Sequence, residues 1–540
     1  MSELVADLAP DYFEFLASRF PVMCASDEFH FLPRARAASH HYSQLDDLGI
    51  NAIHECIDEL KGFQNRLKGL TPPEDDCEQL CDLELLKGNM AGVLIEFEKT
   101  KSWRHNPLIY LKIAFIGLDH ALTKPARSQQ EVCERTAARL NAIPRLLQQG
   151  TDNLDLVPKT YHEAAVLMST DCRRFLTEFV RTVCDDTRRI ARVHAALTSF
   201  DKVLNAIKPV PDQDFPRQDI GPTLKEHFAS ELTLSEAFEI GVQEWQESLS
   251  ALLRLKDQIN PAKTWHELYH AYFPSDIGKV DTIGLYRLEA ERLHKFFRQQ
   301  GFPEAKGAPF PEVQETPTYL KSVRGSASFG AAFTSDPCEK SFFYITTMLP
   351  ESRKGEAGEL LRKRLHREYK FLSAHETFPG HHLLDSTRRN LPNCIRAQIE
   401  SPLFYEGWAY YVESLLAEYG YVHHPLDHLV DFKRRLWRAA RCQIDVGLSA
   451  GFLSRNDALE LLTSAGFSQE EAMNQINRFR LNPGYQLCYS VGRHGFARLR
   501  QKHGTRLERD RFHRELLNGG ELPFHLIDKR LAALSVGAEG

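Results

Sequence analysis

Residues 375–382 read HETFPGHH, and they are followed by Glu-Gly-Trp at 406–408 and by Glu413. Two or three imidazoles and several carboxylates are the ligand set that a catalytic zinc needs. The stretch misses the H-E-x-x-H pattern by two residues, whereas a literal H-E-x-x-H stands at 266–270. The function that we predict depends on which of these two stretches binds metal.

The 375–382 stretch has an unusual geometry for a metal-binding helix. On a regular helix His382 returns to nearly the same face as His375, whereas His381 falls about 120° away. Pro379 cannot donate to the preceding turn, and Gly380 permits unusual dihedral angles, so we expect the helix to break or bulge there. A straight helix favours His382 as the second ligand, and a broken helix can favour His381. The residues alone leave both open.

A second carboxylate-bearing helix strengthens this candidate. Glu406, Tyr410 and Glu413 follow i, i+4, i+7 spacing, so they share one helical face. The distance in sequence from His381 to Glu406 leaves room for a loop and a return helix. We therefore expect this face to lie opposite the histidines.

The stretch at 266–270 has the better spacing but the weaker context. His266 and His270 would share a helical face, and Glu289 or Glu291 could supply a third ligand. H-E-x-x-H is short and arises often by chance, and both glutamates belong to a charged run. We interpret this stretch as a surface helix without metal.

Most of the chain carries apolar residues at helical spacing, for example over 53–67, 81–98, 130–147 and 161–200. A mainly α fold is therefore predicted. Four prolines among polar residues place a linker at 208–224, between an N-terminal helical region (1–207) and a metal-binding catalytic region (225–540) that can also form one continuous body with it. Beyond the linker, Thr233 or Ser235 can cap a helix that continues to Leu255.

Strand signals concentrate at 318–348, and the aromatic and β-branched run at 341–347 contains neither proline nor glycine. A long helical stretch, 356–378, follows and runs into His375. We predict a small sheet next to the metal-carrying helix.

Composition excludes some function classes. The formal net charge of -6 is spread without long runs, so neither a nucleic-acid footprint nor a membrane-surface patch is indicated. The N-terminus carries acidic residues where a signal peptide would carry lysines, and no apolar run is long enough to span a bilayer. The 11 cysteines form no C-x-x-C pair and are interpreted as reduced thiols. A cytoplasmic protein is expected.

At these residues the chain resembles a bacterial family catalogued as domain of unknown function 885. The family signature is similar to H-E-x-x-P-G-H-H, then E-G-W-A-x-Y-x-E, R-x-x-x-D-x-G-L and P-G-x-x-L-x-Y-x-x-G. These motifs stand here at 375–382, 406–413, 441–448 and 483–492. Clear matches cover 342–492, and weaker similarity extends over the whole chain.

The resemblance implies a large helical zincin of the neurolysin-like, gluzincin type. The first histidine after Pro-Gly is the steadier one in the family, which favours His381 over His382. It implies His375, His381 and Glu406 as Zn²⁺ ligands, Glu376 as the general base and Tyr489 as the oxyanion donor.

Further roles are expected around this centre. Glu413 would accept a hydrogen bond from a ligand imidazole, and His382 would lie beside the ligands. Arg441, Arg493, His494 and Tyr411 are weaker candidates for binding substrate.

Two positions depart from the family pattern. Leu384 stands where the family often has Gln, and Ser449 stands where it often has His. If either polar group touches substrate in relatives, the substrate or the activity of this protein differs.

The leading hypothesis is a zinc-dependent hydrolase of a small peptide or another amide. One alternative keeps the metal site in a tailoring enzyme that acts on a modified amino acid or metabolite. Another is a catalytically silent helical scaffold. The oligomeric state does not follow from the sequence.

Overall fold

A computed structural model of the chain describes residues 5–536 apart from 71, 73–75, 275–279, 306, 335, 337, 348–355, 505–506 and 508. Helices dominate these residues and a single small sheet accompanies them. The prediction of a mainly α fold is confirmed.

The N-terminal part of the chain is mainly helical. Its α-helices are α1 (Val5–Arg19), α2 (Pro21–Ala25), α3 (Ile50–Lys68), α4 (Cys77–Leu94), α5 (Ser102–His105), α6 (Leu108–Thr123), α7 (Gln129–Asn153), α8 (Lys159–Phe175), α9 (Arg181–Val183) and α10 (Thr187–Ala206). The apolar periodicity over 161–200 does not give one helix. The chain breaks before α10, where the Asp186 carboxylate accepts a hydrogen bond from the backbone N–H of Arg189 and begins a new helix.

The remaining α-helices follow the Pro-rich segment. They are α11 (Leu234–Ile259), α12 (Trp265–Ala271), α13 (Thr282–Gln299), α14 (Glu356–Glu376), α15 (His381–Arg389), α16 (Pro402–Glu418), α17 (Pro425–Ala450), α18 (Arg455–Ser464), α19 (Gln469–Leu481), α20 (Leu487–His503), α21 (Arg509–Asn518) and α22 (Phe524–Val536). Thr233 caps α11 in a capping box with Glu236, which confirms Thr233 rather than Ser235 as the cap.

The sheet has three strands, β1 (Glu312–Glu315), β2 (Ala327–Gly330) and β3 (Phe342–Ile345), in the order β1-β3-β2. β1 pairs with β3 in parallel and β2 pairs with β3 in antiparallel orientation. Phe343 and Ile345 pack with Tyr369 and Leu372 of α14. The small sheet predicted next to the helix that carries His375 is therefore present, and residues 335, 337 and 348 of the predicted strand region lie outside the described residues.

One large hydrophobic core extends from Val5 in α1 to Leu531 in α22, so both parts of the chain contribute to it. The domain boundaries at 207 and 224 stay predictions. The Pro-rich segment contains a short 3-10 turn at Asp212–Asp214 and a π turn at Thr223–His227. Among the helices that the structure describes, none combines the length and apolarity that a bilayer crossing requires.

Two glycines set the distance between α16 and α20. A Cβ atom on Gly492 would lie 2.3 Å from the carbonyl oxygen of Leu403 and 2.5 Å from the Cα of Gly407. A Cβ on Gly407 would lie 2.5 Å from the Cα of Gly492. The two helix backbones are therefore in direct contact. This contact brings Tyr485 and Tyr489 next to α16, the helix that carries Glu406.

We predict that Gly492→Ala lowers the free energy of unfolding by about 1–3 kcal/mol, because the added methyl group meets backbone atoms that cannot rotate away. Gly62→Ala is the matched control. Gly62 lies inside α3, and a Cβ there would meet nothing within 4 Å, so this variant should gain about 0.5–1 kcal/mol. Urea unfolding followed by circular dichroism measures both, and equal midpoints for the two variants would contradict the close helix contact.

Candidate metal centre

The helix break between α14 and α15 has a local cause. α14 ends at Glu376, and the backbone N–H of Thr377 still donates to the carbonyl oxygen of Ser373. A Cβ on Gly380 would lie only 1.9 Å from the carbonyl oxygen of His375, so this close approach requires glycine. α15 begins at His381. The break expected from Pro379 and Gly380 is present.

Three side chains converge at this break. The Nε2 atom of His375 lies 3.4 Å from Oε2 of Glu406, and the Nε2 atom of His381 lies 3.6 Å from the same oxygen. The possible ligand atoms of the three residues all lie within 4.8 Å of one another, and the three side chains are buried. Within the described part of the chain, no second group of three His, Cys, Asp or Glu side chains converges in this way.

The two oxygens of Glu406 have different surroundings. Oε1 accepts hydrogen bonds from the hydroxyl groups of Tyr485 (2.5 Å) and Tyr489 (2.8 Å). Oε2 is buried and accepts no hydrogen bond from any residue that the structure describes. Leaving a buried carboxylate oxygen unsatisfied is costly, and a cation between Oε2 and the two imidazoles would remove that cost. These residues therefore fit a metal ion.

The imidazole of His375 is oriented by a second carboxylate. Its Nδ1 atom lies 2.8 Å from Oε1 of Glu413. Because the ionised carboxylate only accepts, Nδ1 carries the proton, and in the neutral ring Nε2 is left with a lone pair that faces Glu406. Burial by itself lowers the pKa of His375, but Glu406 and Glu413 outweigh it and raise that pKa to about 9. A metal therefore has to displace a proton from this ring.

The second histidine is held mainly by ring packing. The His381 ring stacks on Tyr405 with 3.9 Å between centroids, and it meets the His375 ring edge to face at 4.7 Å. Its Nδ1 atom is buried without a hydrogen-bond partner among the described residues. Stacking thus orients the ring whose Nε2 faces Glu406.

Glu413 is the centre of a buried ion-pair network. Arg434 donates to it at 3.1 Å and Arg438 at 2.6 Å, both from α17. Arg434 also donates to Glu368 of α14 at 2.7 Å. Burial alone would raise the pKa of Glu413, but Arg434, Arg438 and His375 hold that pKa well below its usual range. The carboxylate is charged and ties three helices together.

His382 does not join the group. Its Nε2 atom lies 3.0 Å from the carbonyl oxygen of Pro309, and its ring meets Phe329 at 5.9 Å. Burial lowers the pKa of His382 to about 4, so the ring is neutral at physiological pH. The structure therefore turns His381 toward Glu406 and His382 toward the segment before β1.

Glu376 follows the first histidine directly. Its side chain is only 8% exposed. A carboxylate that is buried next to a possible metal ligand can accept a proton from water or substrate.

Tyr489 lies beside the three convergent side chains. The ring centroids of Tyr489 and His375 lie 6.4 Å apart. The Arg441 guanidinium lies 4.1 Å from the Tyr489 ring centroid. Arg441 also donates to the side-chain oxygen of Gln486 at 2.9 Å. The Arg441 guanidinium thus donates to the turn that precedes α20 and also lies over the ring of Tyr489.

Asp445 binds the backbone of the same turn before α20. Its carboxylate accepts from the backbone N–H groups of Gly484, Gln486 and Leu487 at 2.9, 2.8 and 3.1 Å. Burial raises the pKa of Asp445 to about 7 even though these three donors favour the charged form. The aspartate of the third motif therefore positions the tyrosines of the fourth.

The weaker substrate-binding candidates are engaged elsewhere. Arg493 donates to Glu244 at 3.0 Å and to the hydroxyl of Ser414 at 3.2 Å. The hydroxyl of Tyr411 lies 3.0 Å from Nε2 of His513. Neither residue belongs to the convergent group. For His494, burial lowers the pKa.

The stretch at 266–270 serves to begin a helix. Glu267 accepts from the backbone N–H and hydroxyl of Thr264 in a capping box, and His266 stacks on Trp265 at 3.5 Å. His270 is exposed. No metal-ligating group forms here among the described residues. Of the possible third ligands, Glu289 accepts from the hydroxyl of Tyr421 at 2.8 Å.

The two departures from the family pattern have structural surroundings. Leu384 is fully buried in the large core. The Ser449 hydroxyl donates to the carbonyl oxygen of Gln218 at 2.9 Å and accepts from the N–H of Ile220 at 3.2 Å. Ser449 thus fixes the Pro-rich segment to the end of α17.

Several residues at the centre were not assigned from the sequence. Tyr485 lies inside the quoted P-G-x-x-L-x-Y motif, so its position was a usable signal. Arg434 and Arg438 offer only helical spacing on α17. His30, whose ring lies 5.4 Å from Tyr485, is far upstream and has no motif around it.

The comparisons with known proteins agree with this architecture. Residues 34–531 match the family DUF885, described as a bacterial protein of unknown function. A solved "putative lipoprotein of unknown function" from Shewanella oneidensis shares 17% identity with a TM-score of 0.71, covering 98% of this chain and 100% of that one. A "putative lipoprotein" from Colwellia psychrerythraea shares 16% identity with a TM-score of 0.74, covering 99% of each chain. No curated protein matches.

The expectation of a cytoplasmic protein is wrong by this comparison. It rested on the composition of the N-terminus and on the cysteines, whereas the two solved structures named above, which share the fold, are each described as a "putative lipoprotein". The composition of a few terminal residues is a weak guide to the cellular location of a protein.

We predict that Glu413→Ala lowers the free energy of unfolding by about 3–5 kcal/mol, because it leaves two buried guanidinium groups without their shared partner. The measurement is urea unfolding in the presence of a chelator, so that metal loss does not contribute. Glu359→Ala is the control, since Glu359 forms an exposed pair with Arg362 on the same helix as His375 and should change little. Similar stability for the two variants would refute the central place of Glu413.

Proposed function

The chain belongs to the bacterial family DUF885, whose function is unknown, and we propose that this member is a zinc-dependent hydrolase of a peptide or another small amide. The observation that carries the proposal is the convergence of His375, His381 and Glu406 with one buried carboxylate oxygen left unpaired. We further propose a gluzincin-like relationship, which two histidines and a glutamate on separate helices support.

The metal would be held by Nε2 of His375, Nε2 of His381 and Oε2 of Glu406. Nitrogen and oxygen donors of this kind suit zinc, and three protein ligands are typical of catalytic rather than structural zinc sites. When bound, zinc supplies a Lewis acid that activates a water molecule and polarises the substrate carbonyl.

The chain's own residues would perform the remaining steps. Glu376 would accept the proton of the attacking water and deliver it to the leaving amine nitrogen. Tyr489 is the candidate donor to the carbonyl oxygen as negative charge develops there, because its hydroxyl already points into the centre beside Glu406. Burial and the neighbouring Glu406 raise the pKa of Tyr489, so its hydroxyl keeps the proton that it would donate.

A small substrate suits the burial of the site. His375, His381, Glu406 and Glu376 are each less than a tenth exposed, so the reacting groups lie beneath the surface. A tailoring enzyme that acts on a modified amino acid would use the same residues. Screening the zinc-loaded protein against dipeptides and N-acyl amino acids distinguishes these substrates.

We predict that the purified protein binds about one zinc per chain and that His381→Ala abolishes this binding. His382→Ala is the matched control, because His382 is the adjacent buried histidine and its Nε2 faces Pro309 instead. Elemental analysis after dialysis against zinc measures both. If the wild-type chain retains no zinc, the protein is a scaffold and the proposal is wrong; if both variants lose zinc equally, the assignment of His381 fails.

We predict that Glu376→Gln retains zinc but loses about 10²–10⁴-fold in kcat, because an amide cannot accept the proton of the attacking water. Activity is measured on whichever library substrate the wild-type protein cleaves, with zinc content determined on the same sample. Full activity in this variant would show that another group is the base.

A further inference from the structure

The N-terminal segment between α2 and a 3-10 turn at Arg36–His41 reaches the metal centre. Its histidine, His30, has rings from two other parts of the chain as neighbours: Tyr485 at 5.4 Å and Tyr405 at 6.1 Å between centroids. Tyr405 is the residue on which His381 stacks. His30 precedes the residues that match the family, which begin at 34.

His30 completes a chain of hydrogen bonds that ends on a candidate ligand. Its Nδ1 atom lies 2.7 Å from Oε1 of Glu400, and its Nε2 atom lies 3.4 Å from the hydroxyl oxygen of Tyr485. The Tyr485 hydroxyl in turn donates to Oε1 of Glu406. We refer to the sequence Glu400, His30, Tyr485, Glu406 as the His30 hydrogen-bond chain.

The direction of donation along this chain follows from the chemistry of its members. The carboxylate of Glu406 only accepts hydrogen bonds, so the single O–H of Tyr485 donates to it. The Tyr485 oxygen must then accept from His30, which places a proton on Nε2. The carboxylate of Glu400 accepts from Nδ1–H in the same way. His30 therefore donates from both ring nitrogens, as an imidazolium does: Nδ1–H to Glu400 and Nε2–H toward Tyr485, which donates in turn to Glu406.

The Glu400 end of the chain is held by buried ion pairs. Its other oxygen lies 3.5 Å from a guanidinium nitrogen of the fully buried Arg388, which also pairs with Asp385 at 2.6 Å. Close by, the backbone N–H of Arg34 donates to the carbonyl oxygen of Gln398 at 2.7 Å and joins the N-terminal segment to the Glu400 loop.

The segment that carries His30 is also anchored on its N-terminal side. Glu28 pairs with Lys112 and Arg324, each at 2.7 Å. Asp27 accepts from the backbone N–H of Ala331 at 2.8 Å, directly after β2. Both flanks of His30 are thus tied to other parts of the fold, and the ring itself is held between Glu400 and the Tyr485 hydroxyl.

We propose that His30 is a positioning residue for the metal centre, acting through Tyr485 to keep Oε1 of Glu406 occupied and Oε2 turned toward the two histidines. The inference rests on the proposed zinc site. Without the His30 donor, the Tyr485 hydroxyl is free to rotate away, and Oε1 of Glu406 keeps only the hydrogen bond from Tyr489, which holds the carboxylate less firmly. Outer hydrogen bonds to ligands of this kind typically contribute about 10–100-fold in metal affinity.

The test is zinc affinity, measured by competition with a chelator on the full-length chain. His30→Ala and Tyr485→Phe should each weaken affinity about tenfold or more, and the double variant should lose no more than either single one, because both remove the same hydrogen-bond chain. His40→Ala is the matched control, since His40 is an exposed histidine ten positions further along. It should bind zinc as the wild type does.

Two conservative variants separate positioning from general damage to the fold. The amide nitrogen of glutamine replaces Nε2–H of histidine, so His30→Gln keeps the donor to Tyr485 and should retain affinity within about threefold. His30→Asn keeps only the donor to Glu400 and should lose about tenfold. Thermal unfolding of the metal-free variants verifies that each is folded.

Three results would overturn the inference. Wild-type affinity in His30→Ala, equal loss in His30→Gln and His30→Asn, or additive losses in the double variant would each show that His30 does not act through Tyr485. Failure of the wild-type chain itself to bind zinc is a different result, because it removes the proposed function together with this inference.

Discussion

The carboxylate of Glu413 is shared by Arg434, Arg438 and His375, and the arrangement of the candidate metal centre depends on this shared charge. Taking a carboxylate out of water is costly unless its partners are close and well oriented. Here Glu413 of α16 has three such partners: two guanidinium groups from α17 and an imidazole from α14. The relative positions of three helices and the orientation of the first histidine are therefore set by one side chain.

A second constraint acts at the break after α14. Gly380 passes so close to the carbonyl of His375 that no side chain fits, and the indole N–H of Trp408 donates to the carbonyl oxygen of Pro379 at 3.0 Å. The break is thus held by α16, the helix that also presents Glu406. The hydrogen bond from Trp408 to Pro379 therefore helps to set the distance between His381 and Glu406.

Much of this arrangement was predictable because it is local. Helical periodicity, the cap at Thr233, the strand near 342 and the break at Pro379 all depend on neighbours within a few residues, and the structure has each of them. The helix predicted over 161–200 failed where Asp186 competes for a backbone N–H. Tyr411 and Arg493 were expected near substrate, yet their partners are His513 and Glu244, which no spacing on their own helices could reveal.

The types of candidate ligand, their order along the chain and the break that separates them follow from residue chemistry and from proline and glycine geometry, so they could be predicted from the sequence. Helix geometry left His381 and His382 both open, because the direction of each ring depends on tertiary contacts with Tyr405 and Pro309. The tertiary structure also brought His30 to Tyr485. Contacts between distant segments depend on how helices pack, and packing leaves no pattern at any fixed spacing.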